Sequence, residues 1–128
     1  MRRFLFALLL FSSVCRGAET QHFYGDWEPP ASLQRFWSPI SDSWWSKGST
    51  PKLERRCRAF AQHHQPEKII PDMIRDLKAS PSEVRWFVYL CIMSSWPKAR
   101  VLKVLHPFQS SPDEDVKHIA NEFYADIE

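Results

Sequence analysis

The chain has 128 residues, 44% of them hydrophobic and 25% charged, which suits one globular domain with one modest core and is too short for two. Its 17 Lys and Arg stand against 15 Asp and Glu, so the balance is near neutral. A nucleic-acid or anionic-membrane binder needs concentrated positive charge, and the composition argues against both partner classes.

The first segment has the layout of a secretory signal peptide. Arg2 and Arg3 precede an apolar run over residues 4–11, followed by Ser12, Ser13 and a small-residue stretch near Gly17. Cys15 and Gly17 supply small side chains at the third-last and last positions, which predicts cleavage after Gly17. The apolar run is far short of the roughly 20 residues that span a bilayer, so no stable membrane insertion is expected after cleavage. The expected location is periplasmic or secreted. Removing residues 1–17 discards three Arg and leaves 14 basic against 15 acidic residues, a formal charge of −1.

Residues 18–49 form an aromatic lead-in, with Trp27, Trp37, Trp44 and Trp45 interrupted by Gly25, Pro29, Pro30, Pro39 and Gly48. Within it, Leu33, Phe36, Trp37, Ile40 and Trp44 share one face at helical spacing, although Pro39 argues against a long unbroken helix. Two uses of these tryptophans follow from their chemistry. They form an apolar cap over a helical core, or they stack on sugar rings as a cell-wall or glycan-binding surface. The cap is the expected use.

From Thr50 the helical signals sharpen over residues 50–128. Thr50 is placed to cap a helix with Pro51 at its first position, and Leu53, Cys57, Phe60, Ala61 and His64 recur along one face. A stop is predicted near Gln65 and Pro66. Ile70, Met73, Ile74 and Leu77 predict the next helix, with Pro71 near its start. Ser80 or Ser82 then caps a helix carrying Val84, Phe87, Val88, Cys91 and Ile92 that ends at Trp96 and Pro97. Val101, Val104, Leu105 and Phe108 mark a fourth helix, and Val116, Ile119, Ala120, Phe123 and Ile127 a fifth. No run alternates with period two, so strands are not predicted.

Two loops share a text: Ser80-Pro81-Ser82-Glu83-Val84-Arg85, and Ser111-Pro112-Asp113-Glu114-Asp115-Val116-Lys117, 31 residues further on. A period of that size made of two short helices is the signature of stacked helical hairpins. Over residues 66–127 the chain resembles the HEAT repeat family in its short bacterial form. Ile69-Ile70-Pro71-Asp72-Met73-Ile74-Arg75-Asp76-Leu77 stands as first helix, a proline loop follows, and Glu83-Val84-Arg85 opens the second. The family's Asp before the loop proline is Ser80 here, and its Ala-rich second helix carries Trp86, Phe87 and Tyr89. The resemblance implies an all-α stack of about five helices that binds partners through its surfaces, and it implies no catalytic residues.

The helix after Ser82 is apolar nearly all round. Val84, Val88, Cys91 and Ser95 lie on one face, with Trp86, Tyr89, Met93 and Trp96 close to the opposite one. Such a helix is expected to be buried between neighbours, with the aromatic lead-in folded over its second face. The sharper alternative makes Trp86, Tyr89, Met93 and Trp96 an exposed anchor for a protein partner, since Trp, Tyr and Met are favoured at binding hot spots. Cys57 and Cys91 fall on apolar faces of neighbouring hairpins and are a candidate disulfide in an exported chain.

His22, His63, His64, His106 and His118 show no spacing of four that sets two metal ligands on one face, and no metal or other cofactor is expected. Neither a Gly-x-Ser-x-Gly turn nor a Cys-His set is present, so no enzyme is expected. Lys52, Arg55, Arg56 and Arg58 open the first helix of the region as a cluster suited either to solvent or to an acidic partner. The reading is an exported protein-binding adaptor or inhibitor, of which a periplasmic immunity protein would be one example. A cell-wall or glycan-binding module is the alternative, and an exported hydrolase comes third.

Overall fold

Prolines and short polar side chains set the element boundaries. The computed structural model describes residues 27–37 and 50–128; the expected signal peptide, residues 1–17, and the aromatic residues Trp44 and Trp45 lie outside the described residues. Among the described residues the chain is all-α. A 3-10 turn Ala31–Leu33 runs into a short helix α1 (Gln34–Trp37), followed by α2 (Thr50–His63), α3 (Pro66–Ala79), α4 (Glu83–Met93), α5 (Lys98–Leu105) with a 3-10 extension His106–Ser110, and α6 (Glu114–Ile127).

The caps explain the starts. Ser82 is the N-cap of α4, its Oγ accepting from the Arg85 N–H at 3.2 Å. Asp113 caps α6 through its Oδ1, which accepts from the Asp115 and Val116 N–H groups. A side-chain oxygen at this position satisfies a donor that the helix itself leaves unpaired. Pro66 opens α3 at its first position, as the fixed φ of proline favours, and Pro97 stands at the N-cap of α5.

Two boundaries differ from the sequence reading. Helix α3 starts at Pro66, so Pro71 stands inside it. The bond it forgoes would have reached the carbonyl of Glu67, an exposed residue of the first turn, where water can take the place of the missing donor. The fourth predicted helix does not reach Phe108 in α form, because Pro107 cannot continue the ladder and the chain tightens into the 3-10 segment His106–Ser110.

One core joins these elements. Leu33, Phe36 and Trp37 are buried with Cys57 and Phe60 of α2, Ile69, Ile70, Met73, Ile74 and Leu77 of α3, Val88, Tyr89, Ile92 and Met93 of α4, and Ile119 and Phe123 of α6. Helix α4 packs against α2 on one side and α3 and α6 on the others, which is why it is apolar nearly all round. Helix α3 also packs on α5, α6 and the 31–33 turn, and α5 packs on α6. No helix among the described residues is long and apolar enough to cross a membrane.

Candidate functional site

The centre of the polar chemistry is Asp76, a carboxylate in the apolar stripe of α3 and 7% exposed. Arg85, in the first turn of α4, donates its Nε–H to Asp76 Oδ2 at 2.9 Å, and its Nη2 reaches the Ser80 carbonyl. Tyr89, one turn further along α4, donates its hydroxyl to the same Oδ2 at 2.7 Å. Trp27 comes from the N-terminal segment and donates Nε1–H to Oδ1 at 2.5 Å, while its ring lies under the Arg85 guanidinium, 4.0 Å from centroid to Cζ. Both carboxylate oxygens are thus occupied, by two donors from α4 and one from the lead-in.

Burial, and then the negative charge of Asp76, push the Tyr89 phenol well above its ordinary range. The hydroxyl therefore stays a donor at every physiological pH. A charge removed from water is tolerated only when paired and hydrogen-bonded, and Asp76 has both. The arrangement locks together Trp27, the end of α3 and the start of α4. Close by, Ser32 donates to Asp72 Oδ2 at 2.5 Å, a second tie between the lead-in and α3.

The aromatic residues singled out in the sequence fall inside. Trp86 is 6% exposed, stacks on Phe123 at 4.2 Å between centroids, and points Nε1 toward Asp126 Oδ2 at 3.4 Å. Tyr89 and Met93 are fully enclosed. Trp96 is buried and gives its Nε1–H to the carbonyls of Ala61, at 3.0 Å, and His64, at 3.1 Å. An exposed anchor on Trp86, Tyr89, Met93 and Trp96 is therefore corrected to an interior set, because α2, α3 and α6 all close on α4. The covering is shared differently from expectation. Trp37 packs edge-on to Tyr89 at 6.1 Å, whereas Trp86 is covered by the last helix. Trp37 is fully buried, and Trp27 is half-buried, with Trp37 edge-on to it and the Arg85 guanidinium over its ring.

Cys57 and Cys91 are brought together, but as free thiols and not as the expected disulfide. They lie close to each other across the contact of α2 with α4, and the Cys57 thiol faces the Val88 carbonyl at 4.0 Å. The histidines have ordinary partners: His64 stacks on Phe60 at 3.9 Å and shares a hydrogen with the Phe60 carbonyl, His106 faces Gln109, and His118 lies 3.7 Å from Glu122. Among the described residues no group of three or more His, Cys, Asp or Glu is placed to hold a metal ion.

The outward side of α2 is the remaining charged feature. Lys52, Arg55 and Arg58 are exposed on it, with Glu54 the single acidic residue of the helix. Arg56 is turned inward instead, giving Nε–H to the Phe36 carbonyl at 2.8 Å and Nη2–H to the Arg35 carbonyl at 2.7 Å. It satisfies the open end of α1 and joins it to α2. The fold and these features define a small all-α protein with a polar clamp at its centre and a basic helix at its edge. No family model, no curated protein and no solved structure matches the chain.

Proposed function

We propose that the chain is an exported protein-binding adaptor or inhibitor, and that the outward face of α2 meets an acidic surface on its partner. The observation that carries this reading is the concentration of positive charge on one exposed helix of an otherwise near-neutral chain. Four of its five charged residues are basic, and Arg55 and Arg58 have no carboxylate partner among the described residues. Charge placed this way steers encounter with an opposite patch and suppresses wrong partners.

The scaffold reading is supported by how the helices neighbour one another. Helices α3 and α4 pack as one pair and α5 and α6 as another, and the pairs touch first helix to first and second to second, with α3 packing on α6 as well. A stack of two short HEAT-like repeats would be arranged in that way. Trp37 is buried in the core, so the glycan alternative rests on Trp27, Trp44 and Trp45.

The test is cross-linked capture from the exported fraction at low ionic strength, comparing the native chain with Arg55→Glu/Arg58→Glu and with Lys103→Glu on α5 as a control. Proteins held by the native chain and the control should be held about tenfold more weakly by the double variant. Equal retention by all three would refute the surface. Capture of wall material in place of protein would refute the adaptor.

A further inference from the structure

The pair Cys57 and Cys91 is the cluster the proposed function does not use. Cys57 lies in the middle of α2, fully enclosed, with its sulfur 4.0 Å from the Val88 carbonyl of α4. Cys91 lies three residues beyond Val88 on the same face and is half-buried, so it is the more exposed residue of the two. The two residues stand close to each other, short of disulfide distance, where α2 packs on α4.

We propose that Cys91 and Cys57 form a redox-active dithiol that exchanges with small-molecule disulfides, Cys91 acting as the attacking thiol and Cys57 as the resolving one. The order follows first from burial, since Cys57 is fully enclosed and Cys91 only half-buried. The neighbouring Cys57 thiol, helped by the charge of Arg58, lowers the Cys91 thiol from its ordinary range, against partial burial and Glu54. The nearness of Cys91, followed by burial, raises Cys57. A thiolate is the competent nucleophile, so the more exposed cysteine is also the activated one.

In the first step the Cys91 thiolate attacks one sulfur of the small disulfide. The S–S bond of that disulfide breaks, one thiolate departs with the bonding pair, and a mixed disulfide stands on Cys91. Cys57 then loses its proton to the departing thiolate or to water, and its sulfur attacks Cys91 Sγ. The Cys57–Cys91 bond forms and the second small thiol leaves. The protein is oxidised by two electrons and the small disulfide is reduced to two thiols. The product ties α2 to α4 by closing a loop over residues 57–91.

Oxidised glutathione is the probe, added to the folded full chain carrying Cys15→Ser so that two thiols remain, with intact mass followed over time. A transient gain of one glutathionyl group, mapped to Cys91 by fragmentation, should give way to a product lighter than the starting chain by two hydrogens. Cys57→Ser should stop at a stable adduct on Cys91, and Cys91→Ser should react at least about tenfold more slowly. An adduct on Cys57, a wild-type adduct that never closes, no reaction at all, or a Cys91→Ser rate equal to that of the native pair would overturn the assignment. The wild-type time course alone decides between these if Cys57→Ser does not fold.

Discussion

Asp76 shows what a single buried charge requires. It is held by Arg85, Tyr89 and Trp27 at once, so Asp76→Ala leaves the Arg85 guanidinium enclosed without a counter-charge. Breaking a buried pair in this way should cost about 3 to 5 kcal/mol, read from chemical denaturation, whereas Asp76→Leu/Arg85→Met should recover much of the loss. Tyr89 adds a pH dependence whose sign is fixed by its raised phenol. Its ordinary value is 10.0; the unfolded chain releases this proton near there and the folded chain does not. Its contribution is therefore complete below about pH 10 and is lost as pH rises above that value, by about 1.4 kcal/mol for each unit until the folded phenol itself ionises. Melts of the native chain and Tyr89→Phe between neutral pH and pH 11 should show the steeper alkaline decline only in the native chain. Trp86→Ala removes an enclosed ring stacked on Phe123 and should cost about 3 to 5 kcal/mol. A variant that melts like the native chain would contradict the interior placement.

At the scale of elements, the helices were legible because their ends are written in local chemistry. Ser82 and Asp113 cap helices, and proline follows or opens nearly every loop. The stop at Pro107 and the continuation through Pro71 were less legible, since a proline's effect depends on whether the carbonyl it abandons can reach water. The central clamp was not read because its members come from α3, α4 and the lead-in, and pairing across a loop leaves no periodic trace. One signal was available: Asp76 sits between Met73 and Leu77 in an apolar stripe, and Arg85 of opposite sign follows nine residues later. The two cysteines were legible as neighbours, because both lay on apolar faces of adjacent helices. Their chemistry was not, because it depends on which of them is enclosed. Asp113 links this scale to the last helix, for it caps α6 and also pairs with Lys78 of α3. Asp113→Ala removes the cap and should lower stability by about 0.5 to 2 kcal/mol, more than Lys78→Ala, because the exposed ion pair contributes little beside the cap.

For the whole molecule, the question is whether residues 27–37 are an appendage or part of the core. In a repeat stack each unit contacts only its neighbours, and an end piece shields the last apolar face from water. Here Leu33, Phe36 and Trp37 are fully enclosed, Phe36 stands edge-on to Phe60 at 5.5 Å and Trp37 to Tyr89, and Trp27 closes the Asp76 clamp. Each large side chain taken out of water contributes about 1.5 to 3 kcal/mol, which for three of them approaches the whole net stability of a small domain. The lead-in is therefore an integral wall of the core, and its loss also leaves Asp76 with an unfilled oxygen and the α2–α4 seam open to solvent. A chain beginning at residue 50 should melt far below the native protein, bind an apolar fluorescent dye and aggregate on warming. Adding residues 27–37 back as a separate peptide should restore part of the melting temperature, whereas a peptide in which Trp27 and Trp37 are replaced by Ala should not. A fragment beginning at residue 50 that stays monomeric and melts with the native chain would show instead that the helices from Thr50 onward carry their own core, and would free the aromatic lead-in for a binding role.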